Sequence, residues 1–327
     1  MKLATLKSSA PKNRQGDLAV VSRDNKYAVR ATEVAPTLIE ALQSWKDCEP
    51  KLQKIFAELE AKQDKLPGAF VLNLNDCLAP LPHAPGFYDG SAFLSHVVRA
   101  RRARGDQMPE SARITPLMYQ GVADFNIAWN GPLDLMDPAY GGDFEGEFAA
   151  IVTDMPKGTP KEKACQYVAL FTLFNDITYR EIVKTELETK FGFLQSKPNS
   201  SYAPLVITPD ELGDSWKDER IALDMSVKWN GEWFGNPNGR EMNFTFGALI
   251  AHACRTRPLA AGNIVGTGTI SNEDKNQGFA CLTEKRFQEV LDTGKATTPW
   301  LKKGDRVQIE VLKNGQSLFG PIDQTAS

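Results

Sequence analysis

The chain has 327 residues, 42% hydrophobic and 24% charged, ordinary values for a folded globular protein large enough for one big domain and a small companion. A formal net charge of −3 and a pI near 5.8 exclude a broad electrostatic pull toward nucleic acid or an anionic membrane surface. Five cysteines without a CxxC pair, no signal-peptide core and no apolar run of membrane length predict a soluble cytoplasmic protein with reduced thiols, not a disulfide framework.

Residues 2–7, 17–23 and 26–32 read as short strands, the last two joined by a turn at Arg23-Asp24-Asn25-Lys26. A helical pattern starts at Pro36 with Leu38, Ile39, Leu42 and Trp45. It is expected to break at Pro50 and to resume through Leu52, Ile55, Phe56 and Leu59. These elements predict a small N-terminal domain over 1–75 and a larger one over 76–327. Pro67, Pro80, Pro82 and Pro85 favour an extended connector, with His83 a surface loop histidine within it. Residues 93–104 are expected to be helical. They carry His96 and a cluster of four arginines from Arg99 to Arg104, which fits a solvated helix face. A loop around Tyr119-Gln120-Gly121 follows.

The stretch 142–148, Gly-Asp-Phe-Glu-Gly-Glu-Phe, is the most informative in the chain. In a strand, Glu145 and Glu147 point one way while Phe144 and Phe148 pack the other. Adjacent like charges repel, so a compensating cation is expected; a solvated strand face is the bland alternative. Asp89 and Asp176 supply two further carboxylates. Four such groups without a Cys/His cluster suit a hard, oxygen-preferring dication, Mg2+ or Ca2+, better than zinc.

Residues 160–175 place Tyr167, Leu170, Phe171 and Phe174 at helical spacing, and this predicts a helix ending at Asn175-Asp176. Arg180, four residues beyond Asp176, sits either beside a metal ligand or in a local surface ion pair. Lys197 follows an apolar run; if buried it requires carboxylates nearby. Thr208-Pro209 reads as a capped turn, Asn230-Gly231 as a hairpin, and 246–254 as a helix with His252 packed in it. The glycine-rich stretch 262–271 is no phosphate loop. It either lets backbone N–H groups and the hydroxyls of Thr267 or Thr269 approach a ligand, or makes a plain turn. The tail alternates through Val307, Ile309 and Val311 and turns at Asn314-Gly315. The hairpins and few long helices indicate an α+β, β-rich fold. His96 could act as a general base if a carboxylate such as Glu284 held its tautomer; a lone structural histidine is the alternative.

Taken in order, Asp89 with His96 seven later, Tyr119-Gln-Gly, Glu145-x-Glu147, Asn175-Asp176-x-x-x-Arg180, Phe193-Leu-x-Ser-Lys197, Gly266-Thr-Gly-Thr269 and Glu284 resemble the fumarylacetoacetate hydrolase family from about residue 70 to 325. The resemblance implies a mixed β-roll or sandwich catalytic domain preceded by a small strand-plus-helix domain. It implies a dication, Mg2+ or Ca2+ with Mn2+ as a further candidate, on Asp89, Glu145, Glu147 and Asp176. His96 oriented by Glu284 would activate water, Arg180 and Lys197 would stabilise developing charge, and Arg104, Tyr119 and Thr269 would hold substrate. The implied enzyme is a homodimeric, metal-dependent carbon–carbon hydrolase of a fumarylacetoacetate-like 1,3-diketo acid, a fumarylacetoacetase of tyrosine or other aromatic catabolism. Acylpyruvate hydrolysis, or decarboxylation or isomerisation of a keto acid, is the alternative on the same fold; a non-catalytic module with a structural ion is the alternative of another class. The chain departs from the family pattern at Val183, where glutamine is expected, and at Ser91, where tyrosine is expected, and its lysine aligns only after a one-residue shift.

Overall fold

A computed structural model describes residues 1–10 and 13–327. Its centre is strand β8 (Gly146–Val152), buried along its whole length. Alternation in β8 sends Phe148, Ala150 and Val152 to one apolar layer and Ala149 and Ile151 to another. A strand covered on both faces carries an unbroken apolar run instead of the alternating pattern of a half-exposed one.

Around β8 an eleven-stranded sheet assembles from β1 (Lys2–Leu6), β2 (Asp17–Val21), β3 (Tyr27–Arg30), β4 (Ala69–Val71), β5 (Phe87–Gly90), β6 (Met118–Gly121), β9 (Val168–Asn175), β11 (Ser201–Tyr202), β12 (Leu205–Ile207) and the strand Ile264–Gly266. The spatial order runs β4-β3-β2-β1-β12-β9-β8, then Ile264–Gly266, β5 and β6; β11 pairs with β9 off this path. β5 runs parallel to Ile264–Gly266; the other ladders are antiparallel. The N-terminal strands therefore extend the central sheet, with Lys2 opposite Ile207.

Helices α1 (Leu38–Gln43) and α2 (Trp45–Lys62) cover one face, burying Leu38, Leu42, Leu52, Phe56 and Leu59 against Leu3, Val20, Ile151 and Val206. The break between them falls at Ser44, not at Pro50, which lies inside α2. Proline removes one intrahelical hydrogen bond there, while the buried stripe of Cys48, Leu52, Phe56 and Leu59 holds the helix across it. A four-stranded sheet, ordered Glu232–Gly235, Ser226–Trp229, Arg306–Glu310, Ile322–Thr325, closes the opposite face over Phe148, Phe171, Val227, Ile309 and Phe319. The α+β, β-rich class is thus observed, with hairpin turns at Asn230-Gly231 and Asn314-Gly315. Among the described residues no helix is long and apolar enough to cross a membrane, and all five cysteines are free.

Two expectations are corrected. Residues 168–175 form strand β9 instead of the end of a helix. Their largely apolar run satisfies helical spacing by coincidence, and the pairing of β9 with β8 and β12 overrides it. Tyr119–Gly121 lies in strand β6 instead of a loop, because backbone pairing to β5 decides its state where its own side chains carry little pattern.

Arg23 ties the N-terminal strands to the 209–215 segment by a two-pronged contact, its Nε and Nη2 donating to Glu211 at 2.9 and 2.8 Å. Burial pushes the Glu211 carboxyl up, but the Arg23 hydrogen bonds and the Met1 ammonium 3.1 Å from Oε1 outweigh it and hold the group at about 2. A folded value below the ordinary 4.5 means that this stabilisation is complete above that pH and is lost as pH falls toward 2. Arg23→Met is expected to lower the urea midpoint at neutral pH, with the gap to wild type shrinking steadily as the buffer is acidified through this window.

Candidate active site

The sheet register builds the site. Asp89 on β5 lies opposite Gly266, and Gly266 lies opposite Ala149 on β8, two residues from Glu147. Glu147 pairs with Phe174 on β9, and Asp176 follows that strand. Carboxylates from three chain regions thereby converge, with one oxygen each from Asp89, Glu147 and Asp176 within 4.8 Å of one another. A glycine is required beside them: a Cβ at Gly266 would stand 2.3 Å from Asp89 Oδ1. The glycine-rich stretch thus brings its backbone close to a carboxylate, and the Gly268 N–H, at a φ of +76°, donates to Asp89 Oδ1 at 3.1 Å.

Asp176 is further fixed by Tyr119 Oη at 2.7 Å, Lys197 Nζ at 2.5 Å and Ser200 Oγ at 2.9 Å. Lys197 is buried, as the need for nearby carboxylates anticipated, and also donates to Glu145 Oε2 at 2.6 Å and Thr178 Oγ1 at 2.8 Å. Arg180 does not pair with Asp176. Its Nη2 reaches Glu145 Oε1 at 2.5 Å and its Nε reaches Asp143 Oδ2 at 2.7 Å. Glu145 thus spends both oxygens on cations, whereas both oxygens of Glu147, 0% exposed, have no hydrogen-bond partner.

The electrostatics follow from this division. Burial raises the Glu145 carboxyl, but Arg180 and Lys197 override it and hold it far below the ordinary range. Burial and the neighbouring Asp176 push Asp89 up to about 8, and burial with Asp89 and Asp176 drives Glu147 well above its usual range. Lys197 is raised despite burial because Asp176 and Glu145 flank it. Five buried carboxylates (Asp89, Asp143, Glu145, Glu147, Asp176) face two cations, the buried Lys197 and the partly buried Arg180, so full ionisation leaves three negative charges unmatched. The unpartnered Glu147 oxygens, the all-oxygen donor set and this excess fit a hard dication.

A second cluster stands beside the first. α3 (Leu94–Ala103) carries His96, whose Nδ1 is 3.4 Å from Glu284 Oε2 at the start of the helix Leu282–Thr293. Glu284 Oε1 accepts from Arg99 Nη1 and Ser271 Oγ, each at 2.5 Å. Arg99 is therefore a buried partner of Glu284, not a solvated surface charge. It lies three residues after His96 on one helix face, and that spacing was the signal for it. Asp143, Thr178, Ser200 and Ser271 were also missed; short polar residues carry no spacing signal of their own. Asp143 joins the halves, accepting from Arg180 and from the first N–H groups of the Leu282–Thr293 helix at 2.7 and 3.0 Å.

A cleft of about 520 Å3 opens next to His96 and Arg180, walled by Arg104, Val183, Phe287 and Trp300. Arg104 stacks over Phe287 at 5.4 Å, so it lines this cleft. Val183 gives an apolar wall where the family pattern has a glutamine. Thr269 is buried with an unpartnered Oγ1, and Ser91 donates its backbone N–H to Leu117.

A β-rich scaffold thus gathers acidic side chains from distant strands beside a histidine–glutamate pair, a donor set suited to a hard dication. The family model described as fumarylacetoacetate (FAA) hydrolase C-terminal matches residues 87–325, and the one described as fumarylacetoacetase N-terminal domain 2 matches residues 1–83. The chain belongs to the fumarylacetoacetate hydrolase family, whose members are hydrolases and isomerases. An uncharacterized protein of Archaeoglobus fulgidus is 26% identical over 174 residues, 53% of this chain and 56% of that protein. The chain thus spans about half the length of that curated relative. The fold is shared with maleylpyruvate hydrolase from Sphingobium sp. SYK-6 in complex with manganese(II) and pyruvate, at TM-score 0.63, 17% identity, and 100% and 98% coverage of the two chains. It is also shared with 2-hydroxyhepta-2,4-diene-1,7-dioate isomerase from Mycobacterium marinum, at TM-score 0.61, 15% identity, and 100% and 98% coverage.

Proposed function

We propose that this protein is a metal-dependent hydrolase that cleaves a carbon–carbon bond in a fumarylacetoacetate-like 1,3-diketo acid. The observation that carries the reading is the His96–Glu284 pair, 3.4 Å apart, beside a buried carboxylate cluster whose Glu147 has no partner. Asp89, Glu147 and Asp176 would hold Mg2+, Ca2+ or Mn2+, with Glu145 beside them poised by Arg180 and Lys197. Such an ion supplies Lewis acidity toward a chelating diketone.

The chain's own residues do the rest. Glu284, anchored by Arg99 and Ser271, keeps its second oxygen toward Nδ1 of His96 and so favours the tautomer with the proton there. The opposite ring nitrogen takes a proton from water, and the hydroxyl oxygen bonds to the carbonyl carbon. Arg180 and Lys197 provide positive potential for the oxyanion. The carbon–carbon bond then breaks, its electron pair stays with the departing enolate carbon, and His96 returns the proton to it. Tyr119, Thr269 and Arg104 hold the substrate's acid groups. A cytoplasmic homodimer belongs to the same proposal. So does the boundary at residue 75.

The test is a product assay with Mg2+ or Mn2+ on acylpyruvates, fumarylacetoacetate and oxaloacetate. Hydrolysis is expected to remove the diketone's near-ultraviolet absorbance and to give two acids, one carrying oxygen from labelled water. Carbon dioxide release or an isomer of unchanged mass would overturn it.

A further inference from the structure

Beside the carboxylate cluster lies a chemically different triad. His96, Cys281 and Glu284 bring a nitrogen, a sulfur and an oxygen within 4.8 Å of one another. We propose that they form a second cation site, selective for a borderline or soft dication such as Zn2+, whose occupancy silences His96. Glu284 is 0% exposed, and its Oε1 is committed to Arg99 and Ser271 while Oε2 has no partner. His96 Nδ1 is likewise buried and unpartnered, 3.4 Å away in an alignment that makes no hydrogen bond. Two ligands with bonds of about 2.0–2.1 Å to a tetrahedral ion sit roughly 3.3–3.4 Å apart. The gap between these two atoms is therefore already the bite of a tetrahedral ion.

Cys281 supplies the third ligand. It caps the helix Leu282–Thr293, its sulfur accepting the Glu284 N–H at 3.4 Å. Burial and the neighbouring Asp143 carboxylate hold this thiol well above its usual range, so the incoming ion itself has to displace the proton. On binding, the thiol proton leaves to solvent, and the thiolate and the Glu284 carboxylate, the latter shared with Arg99, face the dication with two negative charges. Arg99 keeps its hold on the other carboxylate oxygen. Entry is through the cleft, where the His96 side chain is 18% exposed. Sulfur and imidazole select against Mg2+ and Ca2+, which favour the all-oxygen cluster. An ion held by Nδ1 and Oε2 would replace the contact that orients the base, so Zn2+ would inhibit the Mg2+-loaded protein. The inhibition rests on the hydrolase reading; the binding does not.

Cobalt separates the two. The full-length protein, saturated with Mg2+, is titrated with Co2+ and its near-ultraviolet thiolate-to-cobalt absorption recorded. A band reaching one equivalent is expected for the wild type and for Cys165→Ser, and none for Cys281→Ser, in which serine remains a good helix cap. No band in the wild type, or a band that survives in Cys281→Ser, overturns the site. In turnover assays, Cys281→Ser is expected to keep its basal rate and to need more Zn2+ for half-inhibition, by at least the roughly 10–100-fold that losing even an outer partner of a metal ligand causes. Equal zinc sensitivity overturns the inhibitory role. Should no diketo acid turn over, the hydrolase reading fails and the cobalt band alone still decides the site.

Discussion

Glu147→Gln is expected to abolish dication binding and to lower turnover on the order of 10^3-fold, the several kcal/mol that a Lewis acid contributes. The change is nearly isosteric, and it falls on a side chain that gives no oxygen to any hydrogen bond and is fully buried. Burial and the neighbouring Asp89 and Asp176 already press the Glu147 proton on well above the usual carboxyl range. A neutral amide therefore costs the metal-free fold little and can donate to Asp89. The melting temperature without metal should stay level or rise. The wild type should gain about 2.7 kcal/mol when Mg2+ or Mn2+ is present at about a hundred times Kd, and the variant should gain nothing. Calorimetry with and without metal reads both halves. A variant stabilised by metal as fully as the wild type would remove Glu147 from the ligand set. Glu145 is a poorer probe, because its replacement strips Arg180 and Lys197 of a counter-charge and so mixes folding with binding.

His96→Ala is expected to lower kcat by about 10^2–10^4-fold, the span of a lost general base, while KM and metal affinity stay near wild type. The expected split is specific: a merely structural histidine would disturb binding and turnover together. Because His96 borders a cleft of about 520 Å3, added imidazole should enter the space left and restore part of the rate. Unaltered turnover, or loss that tracks with lost metal, would end the water-activation role. Arg99 makes a third arm unnecessary at Glu284, whose replacement would leave a buried guanidinium unpaired.

Much of this architecture was legible in the residues, and the failures have physical causes. The N-terminal strands, the Asn-Gly hairpins and the helix at 246–253 followed from local pattern, because turn chemistry and half-buried alternation leave a trace in neighbouring residues. β9 did not, since a strand buried on both faces reads like a buried helix. At the site, the i, i+2 spacing predicted Glu145 and Glu147 as twin ligands. The chain passes from β7 (Gly142–Asp143) to β8 with Glu145 between them, so Glu145 accepts from Arg180 and Lys197 while Glu147 keeps both oxygens without a hydrogen-bond partner. The meeting of Asp89, Glu147 and Asp176, and of His96 with Glu284, depends on sheet register and helix packing across long separations. Only the ordered set of motifs, through family resemblance, made those partners legible.

The pairing of Lys2 with Ile207 has a consequence for how the molecule is made. The two partners lie roughly two hundred positions apart, so the first strands to leave the ribosome cannot dock until more than half of the chain has been synthesised. Closing so long a loop is entropically slow, and topologies dominated by distant contacts fold slowly. Until then β1 presents an unpaired apolar edge, open to pairing with other nascent chains. The yield of native protein should thus rise with chaperone supply during synthesis.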